Sequence, residues 1–234
     1  MDWKKIEEEL QEKGLGRLGF ADLHAIVPKR YAHLPYGVSL VWKLCDGVVD
    51  EIKELARPSF TYFQQYRAIN AALDQMSLWL ATKIEREGYK ALPIGASQSV
   101  HDAGEYAGAF QHKTVAVHAG LGWIGKSALF VSKEYGPRVR LATVLTDLAL
   151  PVPETIDLQS RCGNCDLCVE ACPAKAITGK LYQAGATRET IFDPKACSEH
   201  MKKAYASIGR GAVCGICMAV CPYGIRKAPE GSSQ

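Results

Sequence analysis

Eight cysteines crowd residues 162–221 of this 234-residue chain. Cys162, Cys165, Cys168 and Cys172 form a C-x2-C-x2-C-x3-C-P run. Cys214, Cys217 and Cys221 repeat it without its first member, and Cys197, in "DPKACSEH", supplies the missing thiol. Such spacing lets one short loop place three sulfurs on three corners of a cubane, so the chemistry it points to is ligation of two [4Fe–4S] clusters. The x3 step is expected to begin a helix that sends the fourth sulfur away. The proline ends the ligand turn, because it fixes φ and cannot donate a hydrogen bond. C-x2-C pairs also suit tetrahedral zinc; three cysteines in seven residues, with Cys-Pro occurring twice, favour iron and sulfide.

The pairing follows from the rule of bacterial two-cluster ferredoxins, in which each fourth cysteine serves the other cluster. Cluster one then takes Cys162, Cys165, Cys168 and Cys221. Cluster two takes Cys172, Cys197, Cys214 and Cys217. Two such sites, each of net charge about −2, turn the formal +3 of the chain into about −1, so bulk charge says nothing firm about nucleic acid. The ninth cysteine, Cys45, reads as a small buried hydrophobe. Cysteines in a reducing compartment argue against a disulfide framework.

These thiols need a scaffold. Apolar residues make up 47% of the chain and charged residues 23%, enough for a substantial core. No apolar run approaches the ~18–20 residues of a membrane span, and "MDWKKIEEELQEKG" lacks the apolar stretch of a signal peptide, so a cytoplasmic protein with no membrane attachment is expected. Residues 2–13 read as a helix with Trp3, Ile6 and Leu10 on one stripe and Gly14 as its stop. Strands are expected in "GRLGFADLHAI", in 36–44, in "GYKALPIGA" and in 138–148. Pro58 and Ser59 open a long helix ending at Gly88, with Phe60, Phe63, Ile69, Leu73, Met76, Leu80 and Ile84 as its core stripe. Pro151 and Pro153 mark a linker, and "EGSSQ" reads as disordered. The fold class expected is an α/β layer domain over 1–153 with a ferredoxin-like module over 154–234.

A second chemical signal is "AGLGWIGKSAL". Gly120, Gly122 and Gly125 crowd six residues and Lys126 follows. Glycines let backbone approach a ligand closely, but the spacing fits neither a dinucleotide fingerprint nor a Walker loop. It reads either as a tight turn into a helix or as an anion- or cofactor-facing loop.

"AGLGWIGKSAL", then "EYGPRVRLATVLTD", then the cysteine run and the ending "CGICMAVCPYG", together resemble epoxyqueuosine reductase, a cobalamin-dependent iron–sulfur reductase related to reductive dehalogenases. The resemblance is strong from about 118 to 224. It implies a nitroreductase-like mixed-sheet domain holding cobalamin, with electrons from a low-potential donor such as a ferredoxin or flavodoxin passing through both clusters to cobalt, which reduces a small-molecule substrate. FMN is the alternative cofactor on such a scaffold, and a non-catalytic electron carrier is the alternative function. Gly120, Gly122, Trp123, Gly125 and Lys126 are the expected cofactor-binding residues.

The sequence departs from the family pattern in three places. "HDAGEYAGAFQHKTVAVHAGLGW" lacks the family's Asp-x-x-Pro-x-x-Glu segment, and Gln65-Tyr66-Arg67 stands where Asp-Tyr-His is usual. Little chain follows Cys221, so tRNA is not expected as the substrate. Proton donors are sought among His101, Asp102, Glu105, His112, Lys113 and His118; a general acid near neutral pH is most readily a histidine, and His112 is favoured because the resemblance puts His112-Lys113 near the family's substrate-facing turn, with the Tyr66 hydroxyl second.

Overall fold

The computed structural model describes residues 1–97 and 106–224. Helix α1 (Trp3–Gln11) begins where the Asp2 carboxylate accepts from the Lys5 N–H, and it buries Ile6 and Leu10. Strands β1 (Arg17–Asp22) and β2 (Tyr36–Lys43) pair antiparallel. Helices α2 (Asp46–Leu55) and α3 (Phe60–Arg86) then cross to β3 (Ala91–Ile94). Ser59 caps α3 by accepting from the Tyr62 N–H, as its place before an apolar stripe predicts. The stripe buries Ile69, Leu73, Met76, Leu80 and Ile84, while Phe60 falls off it and is 64% exposed.

Helix α4 (His112–His118) leads to the short strands β4 (Gly122–Ile124) and β5 (Phe130–Ser132), which form a two-stranded sheet, and β6 (Val139–Thr146) returns to the main sheet. The main sheet has the order β1-β2-β6-β3. All its described pairs are antiparallel, which corrects the mixed sheet that the family resemblance implied. Both β2 and β3 oppose β6 and so run parallel to each other. The β2-α2-α3-β3 crossover therefore looks like a parallel unit in sequence, while β6, arriving later, inserts between its strands.

Alternation along β2 and β6 gives the sheet two apolar faces. Val38, Leu40, Ala142 and Val144 pack against α3 and its neighbours. Val41, Leu141 and Leu145 face α4 and the β4–β5 hairpin. The cysteine region is not a separate globule. It carries α5 (Leu167–Glu170), α6 (Pro194–Ala204) and α7 (Ile216–Ala219), and Val213, Ile216, Met218 and Ala219 join the same core as Ile52 and Tyr62. Cys45, expected to be buried, is exposed at the N-cap of α2, where the chain turns out of the sheet.

Candidate iron–sulfur and cofactor site

Two short helices position the cysteines as the x3 spacing predicts. Cys168 lies on α5 and Cys217 on α7, with Cys172 and Cys221 just beyond their ends. Cys197 sits in the first turn of α6, where the Asp193 carboxylate accepts from the Ala196 N–H and Pro194 occupies the start.

The thiols fall into two groups. Burial, then the neighbouring Cys162, Cys221 and Cys165, push the Cys168 thiol up to about 11. Burial together with Cys214 and Cys172 raises Cys197 to about 11. Cys217 is raised further, by burial and by Cys214, Cys197, Cys168 and Cys172. Burial raises the Cys221 thiol as well, and Cys162 and Cys165 add to it. Thiols this crowded and dry are poor acids by themselves, and cationic iron is what makes such sites ionise. The Cys172 sulfur accepts from the Ala176 N–H at 3.4 Å.

The glycine-rich loop does not lead into a helix. Gly122 opens β4 because a Cβ there would stand 2.0 Å from the Val131 carbonyl oxygen of the facing strand. At Gly125 a Cβ would come within 3.6 Å of the Cys162 sulfur. Lys126, 5% exposed, reaches Asp166 at 2.8 Å in the loop that carries Cys165 and Cys168. Trp123 is buried against Tyr223 with ring centroids 4.9 Å apart and lies 5.8 Å from the Arg161 guanidinium. Its indole N–H has no acceptor among the described residues, an orphaned donor between residues that flank Cys162 and Cys221. A sulfide-rich cluster supplies acceptors of that kind. Loop residues 120–126 therefore brace the cysteine region.

A cavity of about 1250 Å³ opens on the other side of this loop. It lies at the sheet edge beyond Ile94, where β6 has β3 as a neighbour only from Thr143 onward, its other side being paired with β2 throughout. Gly95–Ser97, 106–114 and 128–130 form its walls, and residues 182–189 from between Cys172 and Cys197 close one side. Of the loop, Ile124 lines it, whereas Gly120, Gly122, Trp123, Gly125 and Lys126 do not. These five residues stand behind the lining of this cavity rather than in it.

His112 lines the cavity, but both ring nitrogens are engaged. Nε2 donates to the Gly95 carbonyl at 2.9 Å, which leaves Nδ1 to accept from the Thr143 hydroxyl at 2.9 Å. Burial, with help from Arg140, pushes it down to about 4. A neutral imidazole with its one proton held by a carbonyl is poorly placed for general acid work near neutrality, and its two hydrogen bonds tie Gly95 to Thr143. One consequence is measurable. The unfolded histidine protonates near 6.5 and the folded one only near 4, so stability falls as pH drops through that window, by up to about 3 kcal/mol. Melting curves at pH 7 and pH 5 should show a larger loss for the wild type than for His112→Gln; equal losses would refute the burial of a neutral ring.

Tyr66 is half-buried on α3. Its hydroxyl is hydrogen-bonded to the Ser97 hydroxyl, and the Arg140 guanidinium lies 4.3 Å over its ring. Ser97 and Arg140 both line the cavity. Lys113 and His118 line it as well, whereas His101, Asp102 and Glu105 lie outside the described residues. Sequence reasoning missed Arg140 and Arg188 altogether, since a lone arginine in a strand or loop carries no local signal.

Residues 161–224 match the family model of a 4Fe-4S double cluster binding domain. The chain resembles the epoxyqueuosine reductases and reductive dehalogenases. It is 35% identical over 119 residues to the epoxyqueuosine reductase of Lactococcus garvieae, covering 50% of this chain and 32% of that protein. With the tetrachloroethene reductive dehalogenase of Sulfurospirillum multivorans it shares 31% over 158 residues, 62% of this chain and 28% of the relative. A solved reductive dehalogenase, described as performing B12-dependent dehalogenation, shares the fold with a TM-score of 0.71 at 20% identity, over 97% of this chain and 32% of that one. The match thus spans about a third of each relative's length. These relatives are oxidoreductases by name, and no helix among the described residues is long and apolar enough to cross a membrane.

Proposed function

We propose that the chain is an iron–sulfur reductase in which two [4Fe–4S] clusters pass electrons to a corrinoid held in the cavity, where a small molecule is reduced. The observation that carries this reading is the thin partition between cavity and cysteines: Ile124 and Ala128 line the cavity, while a Cβ at Gly125 between them would already be in van der Waals contact with the Cys162 sulfur, at 3.6 Å. A volume of about 1250 Å³ exceeds the few hundred to ~1,000 Å³ of ordinary small-molecule pockets and suits a macrocycle. A simple electron carrier has no use for such a space. Cys162, Cys165, Cys168 and Cys221 hold cluster one beside the partition. Cys172, Cys197, Cys214 and Cys217 hold cluster two, which receives electrons from a ferredoxin or flavodoxin. Residues 1–153 form a nitroreductase-like cofactor and substrate part, and 154–234 the electron-transfer part.

A bound corrinoid would supply low-valent cobalt as the reductant. The protein supplies the proton and the dry walls. Tyr66 is the proposed donor, with Ser97 relaying its proton to the cavity and Arg140 over the ring balancing charge left behind. Tyr66→Phe should lower turnover about 100-fold with little change in corrinoid binding; a loss below about threefold would remove Tyr66 from the chemistry.

The test of the function is direct. Anaerobically cluster-loaded protein is mixed with cobalamin and FMN, desalted, and the retained molecule released and identified by its visible spectrum. A corrinoid spectrum supports the reading, a flavin spectrum moves the same scaffold to flavin chemistry, and neither would sink it. Turnover of an epoxyqueuosine-bearing tRNA stem loop, assayed alongside, would replace the small molecule with RNA as the substrate.

A further inference from the structure

Among the described residues, four cations line the cavity: Arg30, Lys113, Arg140 and Arg188. Glu189 is the sole carboxylate among the described lining residues, and it is taken by Arg188 at 2.9 Å. Arg30, Lys113 and Arg140 have no carboxylate partner among the described residues. What they have instead are carbonyls and rings. Arg30 donates to the Ala109 carbonyl and lies over Tyr31. Lys113 donates to the Ala128 carbonyl at 2.6 Å. Arg140 is bonded to the Asn70 side chain at 3.0 Å. Such dipoles orient a cation without neutralising it, and several unneutralised charges in one enclosed space are costly.

The tension is greatest on one wall. Lys113 is tethered to Ala128 on the partition, and Arg188 to the Tyr106 carbonyl at 2.8 Å on the facing segment. Burial, reinforced by the charge of Arg188, pushes the Lys113 ammonium down to about 8. Glu189 balances Arg188, but Lys113 has no carboxylate partner among the described residues, and an anion beside it, within reach of Arg188, relieves its charge.

We propose that the cavity has an anion-binding subsite between Lys113 and Arg188 that takes the phosphate or carboxylate of its ligand. This rests on the reading of the cavity as a ligand site. The acidic group belongs either to the nucleotide tail of a corrinoid or to the substrate, and the test separates the two.

Cluster-loaded protein in low-salt buffer is titrated calorimetrically with inorganic phosphate, then separately with cobalamin and with cobinamide, which lacks the nucleotide phosphate. One saturable phosphate site is expected. Lys113→Gln and Arg188→Gln should each weaken it about tenfold, the effect of losing a charge-assisted hydrogen bond. Lys113→Arg should restore most of the affinity, and Lys202→Gln, exposed on α6, should leave it unchanged. If the two Gln variants lose affinity for cobalamin but not for cobinamide, the anion is the cofactor's phosphate; if they lose phosphate but bind both corrinoids normally, it is the substrate's acid group. Phosphate binding that fails in the wild type, or that both Gln variants retain, overturns the subsite. Phosphate binding with this pattern but no corrinoid binding would keep the subsite and reject the corrinoid.

Discussion

The double variant Cys162→Ala, Cys221→Ala should keep one intact cluster, whereas Cys162→Ala, Cys172→Ala should keep none. Both remove two thiols, so the difference depends only on which sulfurs share a cluster. If each cysteine run bound its own cluster, Cys162 and Cys172 would be partners and the outcomes would be reversed. The geometry favours crossing. Cys221 feels Cys162 and Cys165, and Cys172 packs with Cys197 and Cys217 as well as with Cys168 of its own run. The short helix in each run separates its third and fourth cysteines: Cys168 lies on α5 with Cys172 beyond its end, and Cys217 lies on α7 with Cys221 beyond its end. Iron analysis reads the result, with about eight irons per chain in the wild type and about four in the first variant. About four irons in the second variant and none in the first would reverse the assignment.

Gly136→Ala should be among the most damaging single substitutions outside the cysteines. Gly136 turns the chain between β5 and β6 with φ +58, and an added Cβ would stand 2.3 Å from the Tyr223 carbonyl oxygen and 2.5 Å from the Gly224 nitrogen. Those atoms are backbone and cannot swing aside. They are also pinned, because the Tyr223 hydroxyl donates to the Arg161 carbonyl at 2.7 Å and the Gly224 N–H to the Cys221 carbonyl at 3.0 Å. Relief of the clash must displace the turn that follows Cys221. A loss of about 3 kcal/mol or more is expected, with the iron of cluster one lost first. Gly88→Ala is the control, since Gly88 has φ +89 but nothing within 4 Å, so it carries conformational strain alone, about 1 kcal/mol. Equal melting temperatures for the two variants would show that the Gly136 contact does not hold the cysteine region to the sheet.

Much of this architecture is written locally. The Ser59 cap and the α3 stripe, the β-branched runs of β2 and β6, and the cysteine spacing each signal within a few residues. What stays hidden depends on distant segments meeting. Strands β4 and β5 have three residues each, too few for an alternation to register. That β6 would insert between β2 and β3 could not be read from order along the chain. His112 looks like an available acid until Gly95 and Thr143 close on its two nitrogens. The loop of 120–126 has the glycines of a ligand cradle, yet they serve close packing against Val131 and Cys162. Arg188 gains its meaning only because the segment between Cys172 and Cys197 folds back across the cavity.

The most direct test of the central claim is electron paramagnetic resonance of cobalamin-loaded, partly reduced protein. Cluster one behind the Gly125 partition should broaden or split the cobalt signal, and the effect should vanish in Cys221→Ala while persisting in Cys197→Ala. A bound corrinoid whose signal is the same in all three proteins would contradict an electron path from cluster one into the cavity.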